Sequence, residues 1–268
     1  MRIEQAQTAM NGAPRENIFI ATDDSGQRCG HAAVVEYVNH AVLPGRPLNY
    51  YLILEGFSRA RDMLFGAAYT RAMLLRKRKP NMAARIYSPC SPRDPERLMF
   101  LSQNGFVNDD AELIVRWILH EDQYVPKAPV GCQIVQTSLA DSYECEALLD
   151  RLNPYSTTVH TLEWLSRARQ DTVFAALAMV EDDRILGEIV LSGYGAEGRV
   201  HMLYTVPQYR RRGVAGALLG SARALLLKHD MRCMTAQVWQ RNASALALFE
   251  TMGFSQVGQA VLYPGIDV

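Results

Sequence analysis

The sequence lacks an excess of charge of either sign: 28 Lys and Arg stand against 28 Asp and Glu, a formal net charge of zero at pH 7. No basic field is available to hold a polyanion, so a nucleic-acid partner is disfavoured. Long apolar runs are missing as well. Every hydrophobic stretch is interrupted before the roughly 20 residues that a membrane span needs, and the opening MRIEQAQTAM has no apolar signal-peptide core. A cytoplasmic protein with no membrane partner is expected. Cysteine is sparse, and Cys29, Cys90, Cys132, Cys145 and Cys233 never fall in a CxxC spacing. Neither a disulfide framework nor a metal site is indicated. What remains, 49% hydrophobic and 21% charged residues over 268 positions, suits one large domain or two small ones.

The chain repeats itself. TRAMLLRK (residues 70–77) is echoed by ARALLLKH (222–229), with Arg71 meeting Arg223 at an offset of 152. The same offset sets the strand-like AARIY (83–87) beside TAQVW (235–239). RLMFLSQNGF (97–106) matches ALALFETMGF (245–254) at 148, which puts four extra residues into the first half's SPCSPRDPE loop. Loops tolerate such insertions. Each half reads as strands, a helix, a strand, a helix closed by Gly-Phe at its C-cap, and a last strand. In the second half TVFAALAMV and RILGEIVLS form strands across EDD, RVHMLYTV follows as a strand, and DSYECEALLDRL and TLEWLSRARQ have helical spacing ahead of them. The first half offers IFIATD, CGHAAVVEYV and LNYYLILEG as strands, but only 17 residues precede Ile18, too few for an equivalent opening pair of helices. HEDQYVPKAPVG (120–131), with two prolines and a glycine, reads as a linker. The expected domains are therefore 1–125 and 131–268.

In VPQYRRRGVAGALL (206–219) a strand ends, a turn carries three arginines and a helix opens, so successive backbone N–H groups face outward at a helix N-terminus. That is an anion site. Gly213 and Ala215 are small enough to admit a diphosphate to the main chain, and Arg210, Arg211 and Arg212 add charge at its rim. About thirty residues on, NASALALFETMGF has Asn242 as a helix N-cap, with Ala245, Leu248 and Phe249 on one face. In this order, joined by a strand, the two segments resemble the GNAT superfamily of acyl-CoA N-acyltransferases. Arg210, Gly213 and Ala215 meet its Gln/Arg-x-x-Gly-x-Gly/Ala pattern, and NASALALFETMGF resembles its following Asn-x-x-Ala-x-x-x-Tyr-x-x-x-Gly-Phe motif. The resemblance is clear over 131–268 and reaches 18–119 through the repeat, so the whole chain resembles a tandem GNAT protein of the mycothiol synthase type. It implies an α/β (α+β) fold of two lobes, each with a mixed, mostly antiparallel sheet flanked by helices. At the 152 offset Arg210, Gly213 and Ala215 fall on Ser58, Arg61 and Met63, which marks the first lobe as a degenerate, structural one.

The resemblance further implies transfer of an acyl group, usually acetyl, directly from coenzyme A to a primary amine of a small molecule or peptide. Acetyl-CoA would be the cosubstrate. Its diphosphate would lie on Arg210, Arg211, Arg212, Gly213, Val214, Ala215 and Gly216. Its pantetheine would run along Leu203, Tyr204, Thr205 and Val206, where family members carry a β-bulge that splays the strand from its neighbour, with Asn242, Ala245 and Phe249 on the other side. His201 is the first candidate for general base, at a place that also holds histidine in the serotonin N-acetyltransferase branch, and Glu188 is the second. The family's usual acid, a tyrosine, is replaced here by Phe249, leaving Tyr263, Tyr204 or water to protonate the thiolate. That loss keeps open a second class of function, a non-catalytic acyl-CoA-binding or sensing protein. Tyr155, His160 and Trp164 could wall the acceptor. A monomer is expected, because tandem lobes can supply for themselves the contact that single lobes obtain from a partner.

Overall fold

The computed structural model describes all residues except 11, 41, 42, 44, 57–59, 125, 157 and 158. Ser58, one of the three positions compared across the repeat, lies outside the described residues. The chain forms two compact units, Met1–Ala111 with Val261–Val268, and Glu112–Ala260.

The first unit is built on β1 (Arg2–Gln5), β2 (Ile18–Thr22), β3 (Arg28–Val38), β4 (Leu48–Glu55), α1 (Arg61–Arg76), β5 (Ala84–Tyr87) and α2 (Pro95–Gln103). The second holds β6 (Ala111–Ile118), β7 (Gln133–Gln136), α3 (Ser142–Leu152), α4 (Leu162–Ala168), β8 (Val173–Glu181), β9 (Arg184–Tyr194), β10 (Glu197–Thr205), α5 (Val214–Lys228), β11 (Cys233–Trp239) and α6 (Ala243–Thr251). β12 (Ser255–Leu262) and β13 (Gly265–Asp267) end the chain. One sheet runs β1-β2-β3-β4-β5-β13 and the other β12-β6-β11-β10-β9-β8-β7. Among the pairings described, β4 with β5 and β10 with β11 are parallel and the others antiparallel. This is the mixed α/β fold that the sequence implied.

The unit boundaries differ from the expected domains for a reason of strand pairing. β6 precedes the proline-containing linker, yet its residues Glu112–Ile118 pair antiparallel with Cys233–Trp239 of β11. Its alternating burial puts Ala111, Leu113, Val115 and Trp117 inside, and Trp117 packs on Phe254. At the other end, Gly265–Asp267 pair with Arg85–Tyr87 of β5, and Asp267 takes ion pairs from Arg46 and Arg85. The first sheet is therefore closed by the last residues of the chain.

The repeat survives in local detail. Gly105 and Gly253 stand just past α2 and α6 with φ of +82° and +97°, and the amides of Phe106 and Phe254 turn back onto Leu101 and Phe249. Positive φ at such a cap favours glycine. Helix starts follow side-chain capping: Asp94, Asp141, Thr161 and Asn242 each accept from the amide three residues on. α1 and α5 are different, because their N-caps are Ala60 and Gly213 and no side chain caps either.

Candidate active site

The second sheet carries two cores. Val200, Leu219, Leu226, Met234 and Phe249 belong to the one on the α5 side, while Leu148, Leu165, Val190 and Tyr204 belong to the one that gathers α3 and α4. Strict alternation along β10 would send Val200 and Met202 to the same side. The structure separates them. Val200 faces Leu191 and Met202 faces Val190, so His201 is the extra residue of a β-bulge. Its ring and the Met202 side chain both turn toward α4, where His201 meets Trp164 edge-on at 5.6 Å.

The same residue marks the parting of two strands. β10 pairs with β11 only over Glu197–Val200 against Cys233–Ala236. From Met202 to Thr205 the pairings of β10 are with β9, and from Gln237 to Trp239 those of β11 are with β6. The edge of β10 that faces β11 is thus open over Leu203, Tyr204 and Thr205, with backbone groups available to an added partner.

β10 then runs through Val206 and a short turn into α5. Gly213 has φ of +84°, and among the described residues no atom beyond its own chain neighbours lies within 4 Å of where a Cβ would sit. The first-turn amides of α5 are left without a side-chain cap. Of the arginines, Arg212 pairs with Glu181 at 3.0 Å and lies over the Tyr209 ring, and Arg210 reaches the Thr205 carbonyl at 3.4 Å. Across the parted strands Asn242 caps α6 through Oδ1, Ala245 is half-buried, and Phe249 is packed at 4.8 Å against Phe254. The helix start thus presents main-chain donors, with the cations around it mostly held by protein partners.

Three further side chains stand around His201. Ser192 on β9 bonds to His201 Nε2 at 2.7 Å and donates its hydroxyl proton to Asp171 Oδ2. His160 stacks on Trp164 with ring centroids 4.1 Å apart, bonds to Ser156 Oγ, and is fixed by Asn153 through paired backbone contacts. Burial, with Arg199 and His160 in the same sense and Asp171 opposing, pushes the His201 imidazole down to about 4. Burial lowers His160 too.

Glu188, the other proposed base, has a different setting. It is wholly buried, takes a two-pronged ion pair from Arg151 at 2.9 Å and a hydrogen bond from the Tyr204 hydroxyl at 2.5 Å. Those donors occupy its oxygens. Tyr204 is stacked on Tyr155 at 4.4 Å and raised far above the ordinary phenol range by burial and by the Glu188 charge, so it holds its proton firmly. Tyr263 falls in the other compact unit, where it packs edge-on against Tyr51 and Tyr87. Of the expected catalytic trio, only His201 stands at the bulge. Arg151, Asp171 and Ser192 were not singled out from the sequence. A serine inside the apolar run RILGEIVLSGY was the one available signal, since a buried hydroxyl needs a partner.

Residues 137–254 match the acetyltransferase (GNAT) family. They form a GNAT-family domain. Acyl transfer from acyl-CoA is that family's general activity. No curated protein is similar in sequence to the chain. Among solved structures, a GCN5-related N-acetyltransferase from Sphaerobacter thermophilus superposes with a TM-score of 0.54 at 17% identity, over 96% of this chain and 82% of that one. A GCN5-related N-acetyltransferase from Anabaena variabilis gives 0.58 at 12% identity over 98% and 72%. A tandem GNAT protein from the clavulanic acid biosynthesis pathway gives 0.50 at 17% identity over 93% and 82%. These likenesses carry the fold, over nearly the whole chain.

The first unit differs from the second at one decisive place. By the 152 offset, Leu48–Tyr51 correspond to residues 200–203 and Ala84–Tyr87 to residues 236–239. In the first unit these four pairs form an unbroken parallel ladder. β3 and β4 pair without a register shift, and Asn49, at the position equivalent to His201, is fully buried. Where the second unit parts its strands, the first keeps them closed.

Proposed function

We propose that the second unit transfers an acyl group, acetyl in the first instance, from coenzyme A to an amine of a small molecule or peptide. The observation that carries this reading is the parting of β10 from β11 at the His201 bulge, followed along the chain by the uncapped N-terminus of α5. The residues present fit the group. Val214, Ala215 and Gly216 would offer main-chain N–H groups to the diphosphate, beside Gly213 and the Arg210–Arg212 rim. The open edge of β10 from Leu203 to Val206 would pair with the pantetheine amides, and Asn242, Ala245 and Phe249 would line the opposite side. Coenzyme A supplies the acyl group as a thioester. A main-chain N–H beside the bulge would hold the acyl oxygen.

His201 takes the base role in this reading. Its imidazole is neutral at physiological pH, so it can accept the proton that the amine loses as it becomes an amide. Glu188 is given a structural role, fixing Arg151 on α3 and Tyr204 on β10. Phe249 has no proton to donate, and the thiolate would take one from water.

A second reading has its own observation: Phe249 stands in the acid's place and the Tyr204 proton is committed to Glu188, as in a binder that has given up turnover. Thiol release from acetyl-CoA, measured against a panel of amines, amino acids and short peptides with binding titrated in parallel, separates the two. Amine-dependent release supports the transferase. Tight binding with no release across the panel supports the sensor.

A further inference from the structure

Ser192 has one hydroxyl proton and two neighbours that could take it. Asp171 Oδ2 is a carboxylate oxygen and has none to give; it accepts from Ser192. With its proton so committed, Ser192 Oγ can only accept from His201 Nε2, 2.7 Å away. Nε2 must therefore carry the imidazole proton. In a neutral ring the lone pair then resides on Nδ1. Ser192 is buried on β9, and its position is fixed by an unbroken pairing to Phe174 on β8 and to Arg199 on β10. The acceptor at the end of the chain, Asp171, sits just ahead of β8.

We propose that Asp171 and Ser192 are positioning residues that lock His201 as its Nε2–H tautomer, so that Nδ1 is the atom that takes the amine proton. This rests on the transferase reading for its chemistry and on the hydrogen-bond chain for its geometry. In the step itself the amine nitrogen bonds to the acyl carbon and the carbon–sulfur bond breaks. The proton lost by nitrogen passes to Nδ1, the sulfur leaves with the bonding pair, and the thiolate is protonated from water while the imidazolium returns its proton to solvent. The transient imidazolium still donates Nε2–H to Ser192, which still donates to Asp171, so its charge is stabilised through the same two bonds. The charged and titratable groups facing His201 are Asp171 from ahead of β8, His160 from ahead of α4 and Arg199 on its own strand. Asp171 alone favours the charged ring.

The test reads the tautomer directly. With six histidines in the chain, selective ¹⁵N-histidine labelling and long-range proton–nitrogen spectra at pH 7 give one resolvable pattern per ring, and His201→Asn identifies the relevant one. A single Nε2–H form in the wild type is expected, with a mixture of tautomers in Ser192→Ala and in Asp171→Asn, whose amide can donate as well as accept. A wild-type ring protonated on Nδ1, or the same single form in Ser192→Ala, would overturn the proposal. In turnover, Ser192→Ala should lower kcat by about tenfold or more while leaving the Kd for acetyl-CoA unchanged. An equal loss in both would assign Ser192 to packing. A protein that turns over no amine would sink the transferase reading, while the spectra would still decide the tautomer.

Discussion

His201 shows how far one side chain can be read before its neighbours are known. A histidine in RVHMLYTV marks a candidate base and the family resemblance implies a bulge farther along its strand, but the sequence carries no sign that the bulge falls at His201 and turns it toward Trp164, or that Ser192 and Asp171 join it. These contacts depend on register, and a single extra residue changes the facing of everything after it. The depressed pKa has a measurable consequence. An unfolded histidine takes a proton near 6.5, whereas folded His201 resists until about 4, so between these values the unfolded state binds the extra proton. Folding stability should fall as pH drops through that window, by roughly 3 kcal/mol for this group. Denaturant titrations at pH 7 and pH 4.5 should show a smaller loss in His201→Asn than in the wild type. An identical loss in both would mean that His201 titrates normally. Above pH 6 the ring is already neutral and should add no inflection to a pH–rate profile.

At the scale of elements, the N-terminus of α5 was the most legible feature, because small residues, arginines and a strand on one side meet a helix on the other within fourteen letters. Its mechanism is more specific than the motif. The cations are largely bound to Glu181, Tyr209 and the Thr205 carbonyl, while the main chain stays open at a positive-φ glycine. Gly213→Val, which cannot hold that backbone without strain, should weaken acetyl-CoA binding about tenfold or more, and Arg211→Ala distinctly less. Equal effects in a binding titration would remove the backbone account. The parting of β10 from β11 could be anticipated only through family resemblance, and its closure in the first unit could not, since LNYYLILEG and AARIY contain nothing that separates a paired from a parted ladder. The closed ladder predicts a stoichiometry of one acetyl-CoA per chain by calorimetry. Two equivalent sites would show that the first unit opens.

For the molecule as a whole, the repeat points to two units, and the compact units divide the chain at Ala111 and Ala260 rather than at the linker. Prolines and glycine at 120–131 mark where the chain turns, whereas a unit ends where strand pairing ends. β6 reads as the last strand of the first half by sequence order, and its alternating apolar face suits either sheet, so only pairing assigns it to β11. A fragment 131–268 would lose β6 and leave β11 and Trp117's partner Phe254 uncovered, whereas 112–260 keeps the strand. By circular dichroism and proton exchange, 112–260 should be folded and 131–268 should not; a cooperative unfolding transition in 131–268 would contradict the boundary drawn here. The pairing of β13 with β5 bears also on how the protein is made. Arg76 binds the Val268 carbonyl and Arg85 the Asp267 carboxylate, so the sheet that is begun first is finished by residues that follow the whole of the second unit. Glu112–Ala260 has emerged from the ribosome before that can happen. In a chain where the leading domain ordinarily folds first, the trailing unit here can complete its sheet earlier, and the leading one waits for β13.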